Sequence, residues 1–162
     1  MIEVEAPWRN LMNDPAPKDP DFEARVRESF ARQGLMVTLG ASLTHVAPGL
    51  VEIAMPASSA VSQQHGFVHA GALASIADSA AGYAALTLMP PSAGVLTAEF
   101  KINLMAPGVG ERVIARGRVI KAGRTLTLAQ TDVFAIHEGR EKQIALLTAT
   151  LMAVEGREGV SS

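Results

Sequence analysis

The sequence predicts an α+β fold in which a curved antiparallel sheet wraps around one central α-helix. Three observations lead to this prediction. Residues 71–88 form an apolar stretch rich in small side chains, which is the pattern of a helix buried on every side. The segments before and after it alternate with a period of two residues, as strands do. At 162 residues, the chain has the size of one domain.

The N-terminal part of the chain is predicted to be an arm followed by a short helix. Residues 1–20 contain four prolines and no sustained period, which indicates irregular structure. Apolar side chains then recur every four residues at Phe22, Val26 and Phe30, so we expect an amphipathic helix that ends at Gly34. The chain is therefore divided into an arm with a helix (1–34), a single domain (35–154) and a C-terminal tail (155–162).

Five or six strands are expected to surround the central helix. Short apolar runs on either side of Pro48-Gly49 predict an early hairpin. The last three strands are separated by turn residues, which predicts an antiparallel meander. The expected strands are Val37–His45, Leu50–Met55, Val95–Met105, Arg112–Lys121, Thr125–Ile136 and Gln143–Val154.

The strand that follows the central helix alternates most regularly, so one of its faces should meet the core. A helix enclosed by such a curved sheet is the hotdog architecture. The face toward the core is predicted to carry Leu96, Ala98, Phe100, Ile102 and Leu104, and the other face Thr97, Glu99, Lys101 and Asn103.

The composition excludes several classes of function. The chain has no cysteine, so it has no disulfide, thiolate nucleophile or cysteine-ligated metal site. Its formal net charge is -2, without the excess of Lys and Arg that binds nucleic acid or anionic lipid. The N-terminal residues lack the apolar segment of a signal peptide. We therefore expect a cytoplasmic protein without a nucleic-acid or membrane partner.

Asp78 is the first candidate catalytic residue. It is the only charged side chain between Val61 and Glu99, and it lies in the middle of the apolar segment. A membrane-spanning helix would need about 20 mostly apolar residues. This segment is marginal in length and contains a charge, so we interpret it as a buried helix. Burial of an unpaired carboxylate costs on the order of several kcal/mol, so another group must compensate for the charge. Two interpretations remain open, namely a carboxylate hydrogen-bonded to backbone or to a neighbouring helix, and a catalytic nucleophile or general base.

The polar segment just before the central helix is the second candidate. Residues 63–71 read Gln-Gln-His-Gly-Phe-Val-His-Ala-Gly, and a helix N-terminus exposes free amide hydrogens with a partial positive charge. The amide of Ala70 or Gly71 could polarise a carbonyl, with a glutamine side chain as a second donor. His65 and His69 are four residues apart, but the glycine between them argues against a helical metal site. We therefore expect no metal.

These residues together resemble the motif of a known family. Gln63 is followed by His69-Ala70-Gly71 at the start of an apolar helix, and Asp78 comes nine residues after His69. This spacing is similar to that of the phenylacetyl-CoA and 4-hydroxybenzoyl-CoA class of hotdog thioesterases. The resemblance implies hydrolysis of an acyl-CoA without a bound metal or organic cofactor, since coenzyme A is part of the substrate.

The resemblance extends over about residues 35–154 and implies a role for each motif residue. Gln63 would bind the thioester carbonyl or the leaving group, and His69 would orient the loop or the leaving group. The amide of Ala70 would stabilise the oxyanion, and Asp78 would attack the carbonyl or activate water. The expected substrate-binding residues are Gly71 and the turn Gly123-Arg124-Thr125, which is similar to a turn that contacts coenzyme A in relatives.

Two positions depart from the family pattern. Ala70 stands in place of the first of two glycines, which keeps the amide donor and adds a methyl group. Gly82 stands four residues after Asp78, where relatives often carry Ser or Thr, so we expect an auxiliary hydrogen bond to be missing. The turn at residues 123–125 has a second interpretation as a solvated basic hairpin.

Ala70 and Asp78 are too far apart to act on one carbonyl within a single chain. They are separated by eight residues, which is about 12 Å along a helix at 1.5 Å per residue. If both act, the Ala70 of one subunit must meet the Asp78 of another across a two-fold axis. We therefore predict an obligate homodimer with two composite sites at its interface, which could assemble further into a dimer of dimers.

The predicted activity is hydrolysis of an aryl-CoA or a short- or medium-chain acyl-CoA to the free acid and coenzyme A. Two alternatives stay open. A non-catalytic acyl-CoA sensor would use the same pocket, but residues 1–34 are too short and not basic enough for a DNA-binding module. A hydratase or dehydratase could move protons with His69 and Asp78, but the spacing from Gln63 to Asp78 fits a thioesterase better.

Overall fold

The computed structural model describes residues 16–157. No helix in this part of the chain is long and apolar enough to cross a membrane. Residues 1–15 of the predicted arm and 158–162 of the predicted tail lie outside the described residues. The helices are α1 (Phe22–Ala31), α2 (Gly34–Thr38) and α3 (Ala70–Leu86), with a 3₁₀ turn at Ser59–Val61, and the strands are β1 (Ser42–Ala47), β2 (Leu50–Pro56), β3 (Ala93–Leu104), β4 (Arg112–Ala122), β5 (Leu126–His137) and β6 (Arg140–Glu155).

One antiparallel sheet contains the six strands in the order β1-β2-β4-β5-β6-β3, and its concave face holds α3. Two contacts show how closely the helix and the sheet approach each other. Thr131 of β5 donates a hydrogen bond to the carbonyl of Ala77 at 2.9 Å. Gly117 of β4 lies so near α3 that a Cβ there would come within 2.4 Å of the carbonyl oxygen of Ala80. The predicted α+β fold, with a curved sheet around a central helix, is confirmed.

Most of the predicted elements are confirmed. Helix α1 begins at Phe22, and β1 and β2 form the early hairpin around Gly49, whose φ of 73° suits a tight turn. Strands β4, β5 and β6 are neighbours and form the meander. The polar turn between β5 and β6 has positive φ at Glu138 and Gly139, a conformation that matches the twist of hairpin strands.

The segment after α1 differs from the prediction. Gly34 begins the short helix α2 instead of ending the helical region, and β1 starts at Ser42 instead of Val37. The carbonyl of Gln33 accepts hydrogen bonds from the amides of Met36 and Val37, which forms a helical turn. This turn buries Met36 in the core and leaves Val37 exposed, so tertiary packing of one side chain overrides the β-propensity of the segment.

The regular alternation predicted for β3 is wrong in its first half. Thr97 pairs with Leu151 of β6, and Phe100 pairs with Ala149 of β6. Leu151 and Ala149 are both buried. The register shifts between Thr97 and Glu99. Paired residues share a face of the sheet, so Thr97 lies on the concave face with Phe100. A β-bulge, in which two residues oppose one on the neighbouring strand, reverses the alternation at this point.

Candidate active site

The loop before α3 folds so that its polar residues meet at the helix N-terminus. The amide of Gln63 donates to the carbonyl of Phe67 at 2.8 Å, and Gly66 completes this turn with a φ of 83°. The amide of His69 donates to the carbonyl of Val61 at 2.8 Å. These backbone bonds fix the direction in which the chain enters the first turn of α3.

His69 is the N-cap of α3. Its Nδ1 accepts a hydrogen bond from the amide of Gly71 at 2.9 Å, which satisfies one of the free amides of the first turn. An Nδ1 that accepts carries no proton, so the neutral ring carries its proton on Nε2. Because His69 is exposed, this Nε2–H is a donor available to a ligand. A Cβ at Gly71 would lie 3.0 Å from Nδ1, so glycine leaves room for the cap.

Two further donors lie beside the His69 cap. The amide of Ala70 meets no acceptor within residues 16–157, whereas the amide of Gly71 is occupied by His69. Of the two amides proposed from the sequence as oxyanion donors, that of Ala70 is therefore the one left free. The Oε1 of Gln63 accepts a hydrogen bond from the amide of His65, which leaves the Nε2 hydrogens of Gln63 for a ligand.

A cavity of about 500 Å³ brings these donors together. Gln63, His69 and Ala70 line one part of its wall. The wall contains hydrogen-bond donors and apolar groups but no carboxylate, so it can bind an oxyanion or a thiolate but cannot by itself activate water. The other lining residues are Gln64, Phe67, Val68, Leu73, Leu104, Met105, Ala106, Pro107 and Gly108.

Asp78 lies on α3 two turns beyond this cavity. Because α3 is continuous from Ala70 to Leu86, the backbone of Asp78 is about 12 Å further along the helix axis than that of Ala70. The side chain is partly buried, and its Oδ1 accepts a hydrogen bond from Oγ1 of Thr97 on β3 at 2.8 Å. No ion pair and no backbone donor reaches this carboxylate in the described part of the chain.

Burial and hydrogen bonding act in opposite directions on Asp78. Burial raises the pKa of this carboxyl group above its usual range, and the hydrogen bond from Thr97 lowers the pKa in part. Burial is the larger effect because it penalises the charged form of the side chain. A carboxyl group with a raised pKa and one free oxygen has the properties of a nucleophile or a general base.

Thr97 is the contact that the sequence analysis missed. Strict alternation places it with Glu99 and Lys101 on the face away from α3. The bulge that reverses this placement has no glycine or proline at its position in β3. The nearest signal in the sequence is the threonine itself, a hydroxyl within a strand that should pass beside the helix.

The turn Gly123-Arg124-Thr125 is exposed and does not line the cavity. The amide of Gly123 donates to the carbonyl of Leu126 at 2.9 Å, and a Cβ at Gly123 would lie 2.5 Å from that oxygen, so the tight turn requires glycine. In the sheet register Leu126 lies two strands away from Leu96 of β3. The turn is therefore at the level of the helix carboxylate and not at the level of the cavity.

The structure divides the candidate residues into two groups on one helix. The donors of Gln63, His69 and Ala70 share a cavity, and Asp78 lies apart with Thr97. The described residues contain no cluster of three or more His, Asp or Glu side chains that could hold a metal ion. The polar groups of one chain are thus divided between a cavity lined by hydrogen-bond donors and a carboxylate that lies about two helical turns away from it.

Comparison with known proteins gives a consistent picture. A family model described as the thioesterase superfamily matches residues 65–142. A solved thioesterase family protein of Silicibacter pomeroyi is 51% identical, with 83% of this chain and 99% of that chain covered and a TM-score of 0.82. A variant of the phenylacetic acid degradation protein PaaI of Thermus thermophilus is 30% identical over 74% of this chain and 98% of its own, with a TM-score of 0.64. A thioesterase of Haemophilus influenzae is similar in fold, with 20% identity, 88% and 97% of the two chains covered, and a TM-score of 0.76.

Proposed function

This chain belongs to the thioesterase superfamily, and we propose that it hydrolyses acyl-CoA thioesters at composite sites formed between two copies of the chain. The family makes the protein a thioester hydrolase. The similarity to a phenylacetic acid degradation protein supports the aryl-CoA class as substrate, with short- and medium-chain acyl-CoA as the alternative.

The separation of Asp78 from the oxyanion donors is the observation that carries the composite site. A thioester carbonyl is only a few ångströms across, whereas the Ala70 amide and Asp78 are about 12 Å apart along α3. The donor cavity is lined by no carboxylate. A second copy that supplies its own Asp78 would complete the cavity, and the first copy would do the same for the second.

The edge strand β3 supports pairing with a second copy. Strand β3 ends the strand order, so it pairs with β6 on one side and with no other strand of the described chain. Leu96, Phe100 and Leu104 on this strand are between 40% and 53% exposed. A long edge strand with exposed apolar side chains is a template for another strand, and antiparallel pairing of two β3 strands would cover them.

The contact between Thr97 and Asp78 supports a position for the proposed two-fold axis. Thr97 marks the level of Asp78 on β3, and 12 Å corresponds to about four strand residues. The level of Ala70 is therefore near Ile102, and an axis that passes near Phe100 would bring each Asp78 to the level of the partner's Ala70. Whether two such dimers associate further stays a prediction, which light scattering would test.

The proposed chemistry gives one role to each of the four candidate catalytic residues. The thioester carbonyl oxygen would accept hydrogen bonds from the Ala70 amide and the Gln63 side chain, which stabilise the oxyanion. The Nε2–H of His69 would donate to the departing thiolate of coenzyme A. Asp78 of the partner subunit would either attack the carbonyl carbon to form an anhydride, which water then cleaves, or accept a proton from the attacking water.

Space beside Asp78 is available for the acyl group. Gly82 lies one helical turn after Asp78 and therefore on the same face of α3. It is buried, yet a Cβ built there would meet no atom within 4 Å. An acyl group bound at Asp78 could extend into this space, and a panel of aryl-CoA and straight-chain acyl-CoA substrates would measure how much it holds.

The test is release of free thiol from that panel by wild type and by Asp78→Asn. We expect wild type to be active, and kcat to fall about 10³-fold in the variant because the nucleophile or base is lost. Asp132→Asn, which changes a carboxylate on the convex face, is the matched control and should retain activity. Wild-type inactivity on every thioester would exclude the proposal.

Subunit complementation tests the composite site separately. Asp78→Asn and Ala70→Pro subunits, each inactive alone, are mixed under conditions in which subunit exchange is verified. Each mixed dimer would contain one intact site, so part of the activity should return. Lack of recovery despite verified exchange would contradict the composite site. Oxygen-18 in Asp78 after a single turnover in labelled water would identify the anhydride route, because direct attack of water on the thioester cannot label Asp78.

A further inference from the structure

Asp78 has one protein partner in residues 16–157, the hydroxyl of Thr97. This hydroxyl donates to Oδ1 at 2.8 Å. The other carboxylate oxygen, Oδ2, receives no hydrogen bond from the described chain. The two oxygens of Asp78 are therefore not equivalent, because one is held by the protein and the other is available to a substrate or a water molecule.

The hydroxyls nearest to Asp78 on its own helix are engaged elsewhere. Ser75 donates to a backbone carbonyl one turn back at 2.8 Å, and Ser79 donates to Oε1 of Gln33 at 3.2 Å. Gly82, one turn after Asp78, has no side chain to offer. The hydroxyl that holds this carboxylate comes instead from a strand.

The β-bulge in β3 directs Thr97 toward Asp78. Without the register shift between Thr97 and Glu99, Thr97 would lie on the convex face with Glu99, whose carboxylate accepts a hydrogen bond from Thr150 there. A bulge disrupts the ladder locally and re-aims a side chain, and bulges are over-represented next to active sites. The irregularity in β3 therefore creates the contact between Thr97 and Asp78.

We propose that Thr97 is a positioning residue for thioester hydrolysis. Its hydrogen bond fixes Oδ1, so that Oδ2 is the atom that attacks the carbonyl carbon or accepts the proton of water. A donor to a carboxylate also stabilises the charged form, which is the reactive form. The inference rests on the proposed catalytic role of Asp78 and adds to it the residue that orients this carboxylate and partly offsets the effect of burial on its charged form.

The charged side chains on the elements packed against α3 do not contact Asp78, so the hydroxyl of Thr97 is the group that stabilises its charge in the described structure. By strand register, those on the central part of the sheet lie on the convex face, away from Asp78: Glu52 of β2, Arg112, Arg116 and Arg118 of β4, Asp132 of β5, Glu141 of β6, and Glu99 and Lys101 of β3. On the concave side, Glu155 of β6 pairs opposite Ala93, about 13 Å along β3 from Thr97. Arg25 of α1 binds the carbonyls at the far end of α3, and the hydroxyl of Tyr83 bonds to Ser29.

The pH dependence of kcat/KM tests this role. Thr97→Val removes the hydroxyl and keeps the shape of the side chain. We expect the acid limb to move to higher pH, because the carboxylate loses the bond that stabilises its charge. Below the wild-type limb, kcat/KM should fall about tenfold, and the loss should shrink at higher pH. Thr97→Ser should restore the wild-type limb.

Thr131→Val is the matched control. Thr131 also donates from the concave face to the middle of α3, but to the carbonyl of Ala77 at 2.9 Å. This variant should lose stability without a shift of the acid limb. An acid limb that stays in place in Thr97→Val, or that moves equally in Thr131→Val, would overturn the inference. If Thr97→Val does not fold, Thr97→Ala carries the same test, and inactive wild type would instead contradict the proposed function.

Discussion

The two ends of α3 differ in whether their free backbone groups have hydrogen-bond partners in the protein. At the C-terminal end, the guanidinium of Arg25 donates to the carbonyls of Leu86, Met89 and Pro90 at 2.8, 3.2 and 2.8 Å. At the N-terminal end, the amide of Ala70 meets no acceptor in the described structure. Backbone carbonyls are thus paired within the protein at the C-terminal end of the helix, whereas at the N-terminal end one backbone amide has no acceptor among the described residues.

This difference corresponds to the structural role of the C-terminal end and to the proposed catalytic role of the N-terminal end. A cation complements the partial negative charge of a helix C-terminus, and the carboxylate of Asp19 balances that cation at 3.0 Å in a largely buried pair. An anion or a polarised carbonyl would complement the N-terminus. The comparison predicts that changes at the closed end alter stability, whereas changes at the open end alter catalysis.

Replacement of Arg25 is expected to have the largest effect on stability. Arg25→Met removes three hydrogen bonds to the helix end and leaves Asp19 as a buried charge without its partner. The free energy of unfolding should fall by about 3–5 kcal/mol, as when a buried ion pair loses one member. Urea denaturation monitored by circular dichroism measures this loss.

Arg27→Met is the control on the same helix. Arg27 pairs with Glu23 at 2.8 Å, but both side chains are about half exposed, so the change should cost less than about 1 kcal/mol. At a temperature where both variants are folded, each should retain thioesterase activity. Equal losses of stability in the two variants would show that the C-terminal end of α3 is not held by Arg25.

The elements of the fold were predictable because their patterns are long. The apolar run that became α3 and the alternation in the meander extend over many residues, so a one-residue error does not change the result. The separation of Ala70 and Asp78 was also predictable, since a continuous helix converts eight residues into a distance. These features depend on local sequence alone.

The missed features depend on contacts between distant segments. Thr97 reaches Asp78 because of one extra residue in β3, and a bulge of this kind has no local signature in the sequence. Arg25 reaches the end of α3 across 61 to 65 positions of sequence. Helix α2 forms because the core takes up Met36. Each of these features depends on tertiary contacts, which override or add to the secondary-structure preference of the local sequence.

A change at the open end should reduce catalysis without a matching loss of stability. Gly71→Ala introduces a Cβ at 3.0 Å from Nδ1 of His69, so the ring must shift and the Nε2–H is displaced from its position. We expect kcat/KM to fall about tenfold, equivalent to about 1.4 kcal/mol of transition-state stabilisation. Stability should change by less than about 1 kcal/mol, because alanine is the better helix former.

Gly34→Ala gives the comparison for Gly71→Ala. Gly34 is the first residue of α2, and a Cβ there would meet no atom within 4 Å. Activity of this variant should equal that of wild type. If Gly71→Ala is as active as Gly34→Ala, the orientation of His69 is not important for the reaction.

The smallest expected effect is a stability gain from removal of the Asp78 charge. Burial raises the pKa of Asp78 in the folded chain, so the folded state holds this proton more tightly than the unfolded state. The resulting stabilisation is fully present below about pH 4, the usual pKa of aspartate, and is lost as the pH rises through the folded pKa. Asp78→Asn does not titrate, so its stability relative to wild type should increase over that pH range and then stay constant.

The size of this gain should be on the order of 1 kcal/mol or less, because Asp78 is only partly buried and Thr97 compensates some of the burial. Denaturant unfolding at a series of pH values measures it, with Asp132→Asn for comparison. Asp132 accepts a hydrogen bond from Gln143 at 2.8 Å on the convex face, so its removal should give no gain. A stability difference between Asp78→Asn and wild type that is independent of pH would contradict this prediction. It would mean that burial does not destabilise the charged form of Asp78 in the folded chain.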